Sequence, residues 1–366
     1  MKITCERDKF SHAFQLAASV AATRDVKPVM QNVLIKVDNN SVILMATDSE
    51  LGIRISVPGC EIKETGEAIL PTKLMKSILQ ESSDKILEIN SDDEKTIVKG
   101  TRSKFQLPTQ PVEDFPEIEQ FSEISYYQVA VSAFRELIKR TAFAVNEDST
   151  KYSLQGIHLD FGETTLDAVA TDGRRLAHQE CAIESVESPM MEGSSLFPVK
   201  SLSLVGQAAS DGAKIQIAIS SNRAVFKMEN AVVFTRLIEG RFPNWRKIIP
   251  TTDGKMAVEL ISGALLSAVK QAAIVTSDKQ PGVDFVFDSG KLDLQASGSE
   301  IGESSVDLPI TYTGPKTTIK IDPKFVSDYL RVLDSEKSIT IFFNATEAVY
   351  YKTDDGYDYV IMPISS

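Results

Sequence analysis

Apolar and polar residues alternate through three stretches that align without a gap: Asn32 to Glu50 (NVLIKVDNNSVILMATDSE), Gly156 to Arg174 (GIHLDFGETTLDAVATDGR) and Gly282 to Glu300 (GVDFVFDSGKLDLQASGSE). A turn pair interrupts each alternation at its centre: Asn39-Asn40, Gly162-Glu163 or Ser289-Gly290. Period-two patterning on both sides of a turn predicts a β-hairpin. Ahead of each hairpin lies a stretch with helical spacing (DKFSHAFQLAASV, SAFRELIKRTAFA, SGALLSAVKQAAI), with Ser132 and Ser262 placed as N-caps. Behind each, a second helix opens near a proline (Pro71, Pro198, Pro323), where the missing N–H is tolerated because first-turn donors have no helical partner. Alternating runs such as ILEIN, IQIAIS and ITIFF follow.

Ala-Thr-Asp recurs at 46 and 170, a period of 124 residues, and three such units fill the 366-residue chain. The junctions QPVEDFPEIEQFSEIS and RFPNWRKIIPTTDGK match one another through Phe115-Pro116 and Phe242-Pro243. Proline-rich polar segments suit boundaries between like domains, which places them at 1–124, 125–251 and 252–366. The expected class is α+β. No apolar run approaches the roughly 18 residues of a membrane span and the N-terminal decamer is too charged for a signal peptide, so a cytoplasmic location is expected. Cys5, Cys60 and Cys181 are odd in number and lack CxxC spacing, which predicts idle or buried thiols and no zinc site.

The sequence offers little for catalysis. His12, His158 and His178 stand in no metal-ligand spacing, and neither a Walker A nor a GxGxxG motif occurs, so no cofactor is expected. The acids of TDDGYDY (Asp354, Asp355, Asp358) sit at an Asp-Asp-Gly hairpin turn, although a metal-dependent hydrolase on duplicated β-rich domains is the alternative they would serve. The net charge of −12 argues against a phosphate-bearing partner until its distribution is examined. Six helix windows (8–20, 72–81, 132–144, 198–209, 262–273, 322–333) hold ten Lys/Arg and five acids, which leaves 29 and 46 to the remainder. The helices are basic and the rest of the chain is acidic, so the net charge does not exclude a phosphate-bearing partner.

Three tandem copies, with ATDGRRLA in the second, EGRFPNWRKIIP at the second junction and YVIMPI near the end, resemble the bacterial DNA polymerase III beta subunit family, the replicative sliding clamps. The resemblance runs over the whole chain. It implies three clamp-like domains, each of two β-α-β-β-β halves, with helices lining the inside of a dimeric ring and sheets outside. Twelve helices at roughly 9 Å spacing would enclose a hole of about 24 Å, wide enough for hydrated duplex DNA bound without regard to sequence. Residues it places toward DNA are Arg24, Lys27, Lys73, Lys76, Arg135, Lys139, Arg140 and Lys200. The homodimer would close through Arg102, Lys104, Phe105 and Leu107 against Ile274, Val275, Glu300 and Glu303.

The resemblance also implies a peptide pocket between domains two and three. Its lining would be Leu154, Thr171, Gly173, Arg174, Arg175, Leu176, Pro243, Lys247, Ile248, Thr346, Ala348, Val360, Ile361, Met362, Pro363 and Ile364. Through short clamp-binding peptides this pocket would hold the replicative polymerase, the clamp loader and repair polymerases. Lys247 stands where the family often has Arg, and the chain ends Ser365-Ser366 where a basic and an apolar residue are common. The function implied is a non-catalytic processivity factor. A clamp-like scaffold without polymerase partners is the second alternative.

Overall fold

A computed structural model of the chain describes residues 1–23, 27–92, 94–118, 121, 125–187, 195–277, 281–298 and 302–364, with the backbone alone for 185–187. Six α-helices stand among them: α1 (Arg7–Val20), α2 (Thr72–Glu81), α3 (Val131–Thr141), α4 (Val199–Ala208), α5 (Ser262–Ala272) and α6 (Pro323–Arg331). All six coincide with the helical windows of the sequence. The expected serine caps do not form. Helix α3 starts at Val131, which puts Ser132 inside it, and the Ser262 hydroxyl donates to the Asp334 carbonyl at 2.5 Å instead of capping α5. In α6 the cap is acidic: Asp322 accepts from Lys324 N at 2.9 Å, ahead of Pro323 in the first turn.

All three hairpins are present. The first two turn through four residues, with Val37 opposite Val42 and Phe161 opposite Leu166. The third turns through two, Ser289 and Gly290, with Gly290 at φ +73°. A two-residue turn needs a left-handed residue, and glycine supplies it without steric cost.

The described residues fall into two compact units that do not follow the repeats. The first takes in Met1–Phe134, Ile183–Glu192 and Lys200–Leu237. It contains a five-stranded sheet in the order Glu61–Glu64, Lys2–Glu6, Ile86–Ser91, Lys95–Lys99, Lys104–Pro108. It also contains a nine-stranded sheet in which Leu51–Ser56 of the first repeat pairs antiparallel with Ala231–Arg236 of the second. Helix α1 buries Phe10, Ala13, Phe14, Ala17 and Val20, a stripe at i, i+3, i+4, i+7 and i+10 that faces the sheet while Lys9 and Gln15 face water.

The second unit comprises Arg135–Ala182, Gly193–Val199 and Ile238–Ser366. Its eight-stranded sheet joins the second and third repeats in the same manner, through Arg175–Ala182 paired with Tyr357–Ile361. A four-stranded sheet runs Gly302–Pro309, Lys291–Gly298, Val283–Asp288, Thr317–Ile321. Under α6 the core is aromatic: Tyr329 stacks on Tyr359 at 4.8 Å and lies against Tyr351 and Tyr357, all four fully buried. In both units the sheet bond between repeats is made by the strand that follows an Ala-Thr-Asp turn.

Candidate peptide groove

The second Ala-Thr-Asp turn is closed by its own side chains. The Thr171 hydroxyl donates to Arg175 O at 2.6 Å and accepts from Gly173 N at 3.1 Å. The Asp172 carboxylate accepts from the backbone N–H groups of Arg174 and Arg175 at 2.8 and 3.0 Å. Short oxygen-bearing side chains of this kind replace the backbone partners that a tight turn lacks. Gly173 takes φ +89°, yet a Cβ there would meet nothing within 4 Å. The glycine answers to backbone conformation and not to crowding.

Arg175 locks the turn to the unit beneath it. Its side chain is 7% exposed and donates to Asp172 at 2.9 Å, to Asp328 of α6 at 2.8 Å and to the Phe143 carbonyl at 2.7 Å. The guanidinium lies over the rings of Phe325 and Phe143, at 4.6 and 5.3 Å from their centroids. Burial opposes its charge, but Tyr359, Asp328 and Asp172 outweigh that and hold its pKa above the ordinary arginine value.

Above this support opens a groove of about 360 Å³. Ten of the residues expected to line it do so: Leu154, Thr171, Gly173, Arg174, Arg175, Leu176, Pro243, Ile248, Val360 and Met362. Lys151 and Ser153 join them and went unread in the sequence, although the 3-10 turn Tyr152–Leu154 that carries Leu154 brings both to the rim. Six expected residues are not part of the lining. Lys247 and Thr346 are exposed elsewhere, Ala348 packs on the cluster of Val169, Trp245 and Tyr350, and Ile361 is fully buried. Pro363 and Ile364 run on past the groove, with Ile364 N donating to Lys320 O at 2.8 Å. Leu176 faces Val360 across the strand pair, while Met362 and Ile248 are 52% and 41% exposed. Apolar walls with a hydroxyl and arginine rim suit a short segment that inserts one or two apolar side chains.

Beside the groove the sheet carries a buried charge network. His178, on the strand that begins at Arg175, bonds Asp167 at 2.7 Å and Asp358 at 3.0 Å and stacks on Trp245. Burial opposes its charge, but the two carboxylates prevail and push its pKa up to about 9. Arg246 closes the network on Asp167 and Asp160. His158, two strands away and stacked on Phe242, lies the other way: burial holds its pKa down to about 4.

The acids of TDDGYDY are spent on the fold. Asp355 pairs with Arg140 and Lys337, Asp354 with Lys337, and Asp358 with His178 and Tyr350. Among the described residues no group of three or more His, Cys, Asp or Glu is placed to hold a metal.

Three family profiles fall end to end on the chain: the DNA polymerase III beta subunit N-terminal domain on residues 1–119, its central domain on 128–244 and its C-terminal domain on 246–365. The chain belongs to the DNA polymerase III beta subunit family. The beta sliding clamp of Pseudomonas putida is 28% identical over 368 residues, with both chains covered completely. The crystal structure of the Pseudomonas aeruginosa clamp bound to griselimycin superposes over all of both chains with a TM-score of 0.92 at 26% identity. The Bacillus subtilis clamp shares the fold at a TM-score of 0.91 and 22% identity, over 100% of this chain and 99% of that one. The function that goes with this family is that of a DNA sliding clamp, a processivity factor with no catalysis of its own. No helix among the described residues is long and apolar enough to cross a membrane.

Of the residues expected to face DNA, Lys27, Lys73, Lys139 and Lys200 are exposed, and Lys76 and Arg135 are half-buried. Lys200 pairs with Asp48 at 3.1 Å and Lys139 with Glu136 at 3.8 Å. Arg140 is a correction. It is 8% exposed and donates to Glu136, Gln179 and Asp355 at 2.6, 2.7 and 3.0 Å, so its guanidinium braces the interior and is not presented to phosphate. Arg24 lies outside the described residues.

Of the expected dimer contacts, Phe105 and Ile274 are 38% and 74% exposed, Arg102, Lys104 and Glu303 are exposed and Val275 is half-buried. Leu107 corrects the set: it is 5% exposed, turned into the core of its own sheet. Glu300 lies outside the described residues, as do Ser365 and Ser366.

Proposed function

We propose that two copies of this chain close head to tail around duplex DNA, without sequence preference, and that each holds the replicative polymerase, the clamp loader and repair polymerases through short peptides seated beside Gly173 and Met362. The observation that carries the peptide site is the groove itself, whose apolar walls stand exposed on a turn fixed by Arg175. In this reading the chain has three clamp domains, 1–124, 125–251 and 252–366. Closure is favoured by two open sheet edges of opposite charge. Strand Lys104–Pro108 ends the five-stranded sheet beside Arg102, and strand Gly302–Pro309 ends the four-stranded sheet with Glu303 and Asp307. An edge strand presents unpaired N–H and C=O groups that a complementary edge of another copy satisfies.

The experiment is retention on DNA after loading. The dimer should remain on a nicked circular plasmid through a salt wash and slide off once the plasmid is cut. Reversing Lys73 and Lys139 to Glu should weaken retention with the fold intact. Equal retention on circles and linear DNA would contradict encirclement.

A further inference from the structure

Two of the three cysteines, 55 positions apart in the chain, meet in the first unit. Strand Lys2–Glu6 pairs antiparallel with the edge strand Glu61–Glu64, with Ile3 opposite Ile62 and Thr4 opposite Glu61. Cys5 and Cys60 are the next residues beyond that last pair, and their thiols come close enough to shift each other's ionisation. Cross-strand neighbours have Cα atoms about 4.5 to 5.5 Å apart, inside the range that a disulfide bridges. Both are free thiols.

Their surroundings differ as the two partners of an exchange reaction must. Cys5 is 1% exposed, its Sγ 3.7 Å from the Leu87 carbonyl. Cys60 is half-buried and open to water at the end of the Pro58-Gly59 turn. That turn lies on the first turn of α1: a Cβ built on Gly59 would stand 3.1 Å from a Glu6 carboxylate oxygen and 3.3 Å from the Lys9 ammonium. The neighbouring Cys5 thiol lowers the Cys60 pKa with help from Lys9, against burial and Glu6, while the Cys60 thiol and burial raise that of Cys5. A thiol that ionises more easily at the surface, backed by a protonated one behind it, is the arrangement of an attacking and a resolving cysteine.

We propose that Cys5 and Cys60 form a reversible thiol–disulfide pair oxidised by peroxide, with Cys60 attacking and Cys5 resolving. The Cys60 thiolate attacks one oxygen of hydrogen peroxide, the O–O bond breaks, and the departing hydroxide takes up a proton as water, leaving a sulfenic acid. Cys5 then attacks the Cys60 sulfur, the S–O bond breaks, and the hydroxide leaves as a second water with the proton of Cys5. Two thiols have lost two electrons and the peroxide has gained them. A dithiol reductant returns the pair by exchange. Oxidation would staple the edge strand Glu61–Glu64 to its neighbour at the start of α1.

The test uses the full chain and one equivalent of hydrogen peroxide, followed by alkylation and non-reducing peptide mapping. The expected result is a peptide containing Cys5 joined to one containing Cys60, with Cys181 alone left to alkylate. Cys181 is the internal control, because burial pushes its thiol up to about 12. Cys60 should be consumed at least about tenfold faster than Cys181. In Cys5→Ser a cyclic 1,3-dione should trap sulfenic acid at Cys60, whereas Cys60→Ser should leave Cys5 unreacted. Three alkylatable thiols after peroxide, a wild-type Cys60 that runs on to sulfinic acid unlinked, or links between chains only would each overturn the proposal. The wild-type map stands even where a variant folds poorly.

Discussion

The turn at Asp48 and the turn at Asp172 are built alike and do different things. In the first, the Thr47 hydroxyl donates to Leu51 O and accepts from Ser49 N, and Asp48 accepts from Glu50 N and Leu51 N. The same bonds link the same positions in the second. Even the neighbouring strand docks alike, through Arg236 N on Glu50 O at 2.7 Å and Met362 N on Arg174 O at 2.8 Å. Four of the side chains that differ decide the space above the turn. Leu176 and Val360 leave room above them, whereas at the matching pair a Cβ on Gly52 would stand 2.0 Å from the Phe234 ring, so the ring occupies that space. Met362 offers an apolar rim where Arg236 offers a charge. Leu154 is half-exposed where Met30 is buried with Val29 and Ile118. Backbone duplication supplied two frames, and the Phe234 ring fills in the first the space that stands open as a groove in the second.

Replacing the anchor of each turn should separate frame from groove most strongly. Arg175→Ala leaves Asp328 without its buried partner and should cost about 3–5 kcal/mol of stability together with peptide binding. Leu51→Ala, at the same position of the first turn, should cost about 2–3 kcal/mol by creating a cavity and leave peptide binding unchanged. Urea denaturation and a peptide titration check both.

Acid and base should act next, on the second frame, where His178 stands in the place that Arg54 holds in the first. The groups facing His178 are Asp167, Asp358 and Tyr350, with Arg246 on Asp167 and Lys352 near Asp358. A folded pKa of about 9 lies above the ordinary histidine value, so its contribution is complete below about pH 6.5 and is lost as the pH rises through 9. The effect is on the order of 3 kcal/mol. His158, held down to about 4, contributes fully above about pH 6.5 and loses that as the pH falls through 4. A melting profile against pH should therefore fall on both sides, with His178→Gln removing the alkaline limb and His158→Gln the acid limb.

The smallest expected effect concerns the left-handed residue of each turn. Ser49 holds φ +76° where the second turn has Gly173. Ser49→Gly should stabilise and Gly173→Ala destabilise, each by about 1 kcal/mol. Since a Cβ at Gly173 meets open space, the alanine variant should keep the groove. Calorimetry decides the sign of each.

Much of this fold is legible in the sequence because period and turn chemistry are local: the hairpins and helices stand where alternation and helical spacing put them. The Arg175 lock is not, since Asp328 and Phe143 approach from 153 positions ahead and 32 behind. Arg140 reads as one more helix cation because its partners arrive from afar, Gln179 from a strand and Asp355 from a hairpin turn. Leu107 illustrates the converse, where a strand's alternation hides one residue of an exposed edge. Cys5 and Cys60 meet only once strand register is known.

The account turns on one groove and not its twin as the partner site. A short fluorescent peptide with two apolar anchors, a leucine and a phenylalanine, titrated against wild type, Met362→Ala and Arg236→Ala, tests this directly. The account predicts a micromolar affinity for wild type, a loss of about 1–2 kcal/mol, or roughly 5- to 30-fold, in Met362→Ala, and no change in Arg236→Ala. Equal affinity in wild type and Met362→Ala, or a loss confined to Arg236→Ala, would contradict it.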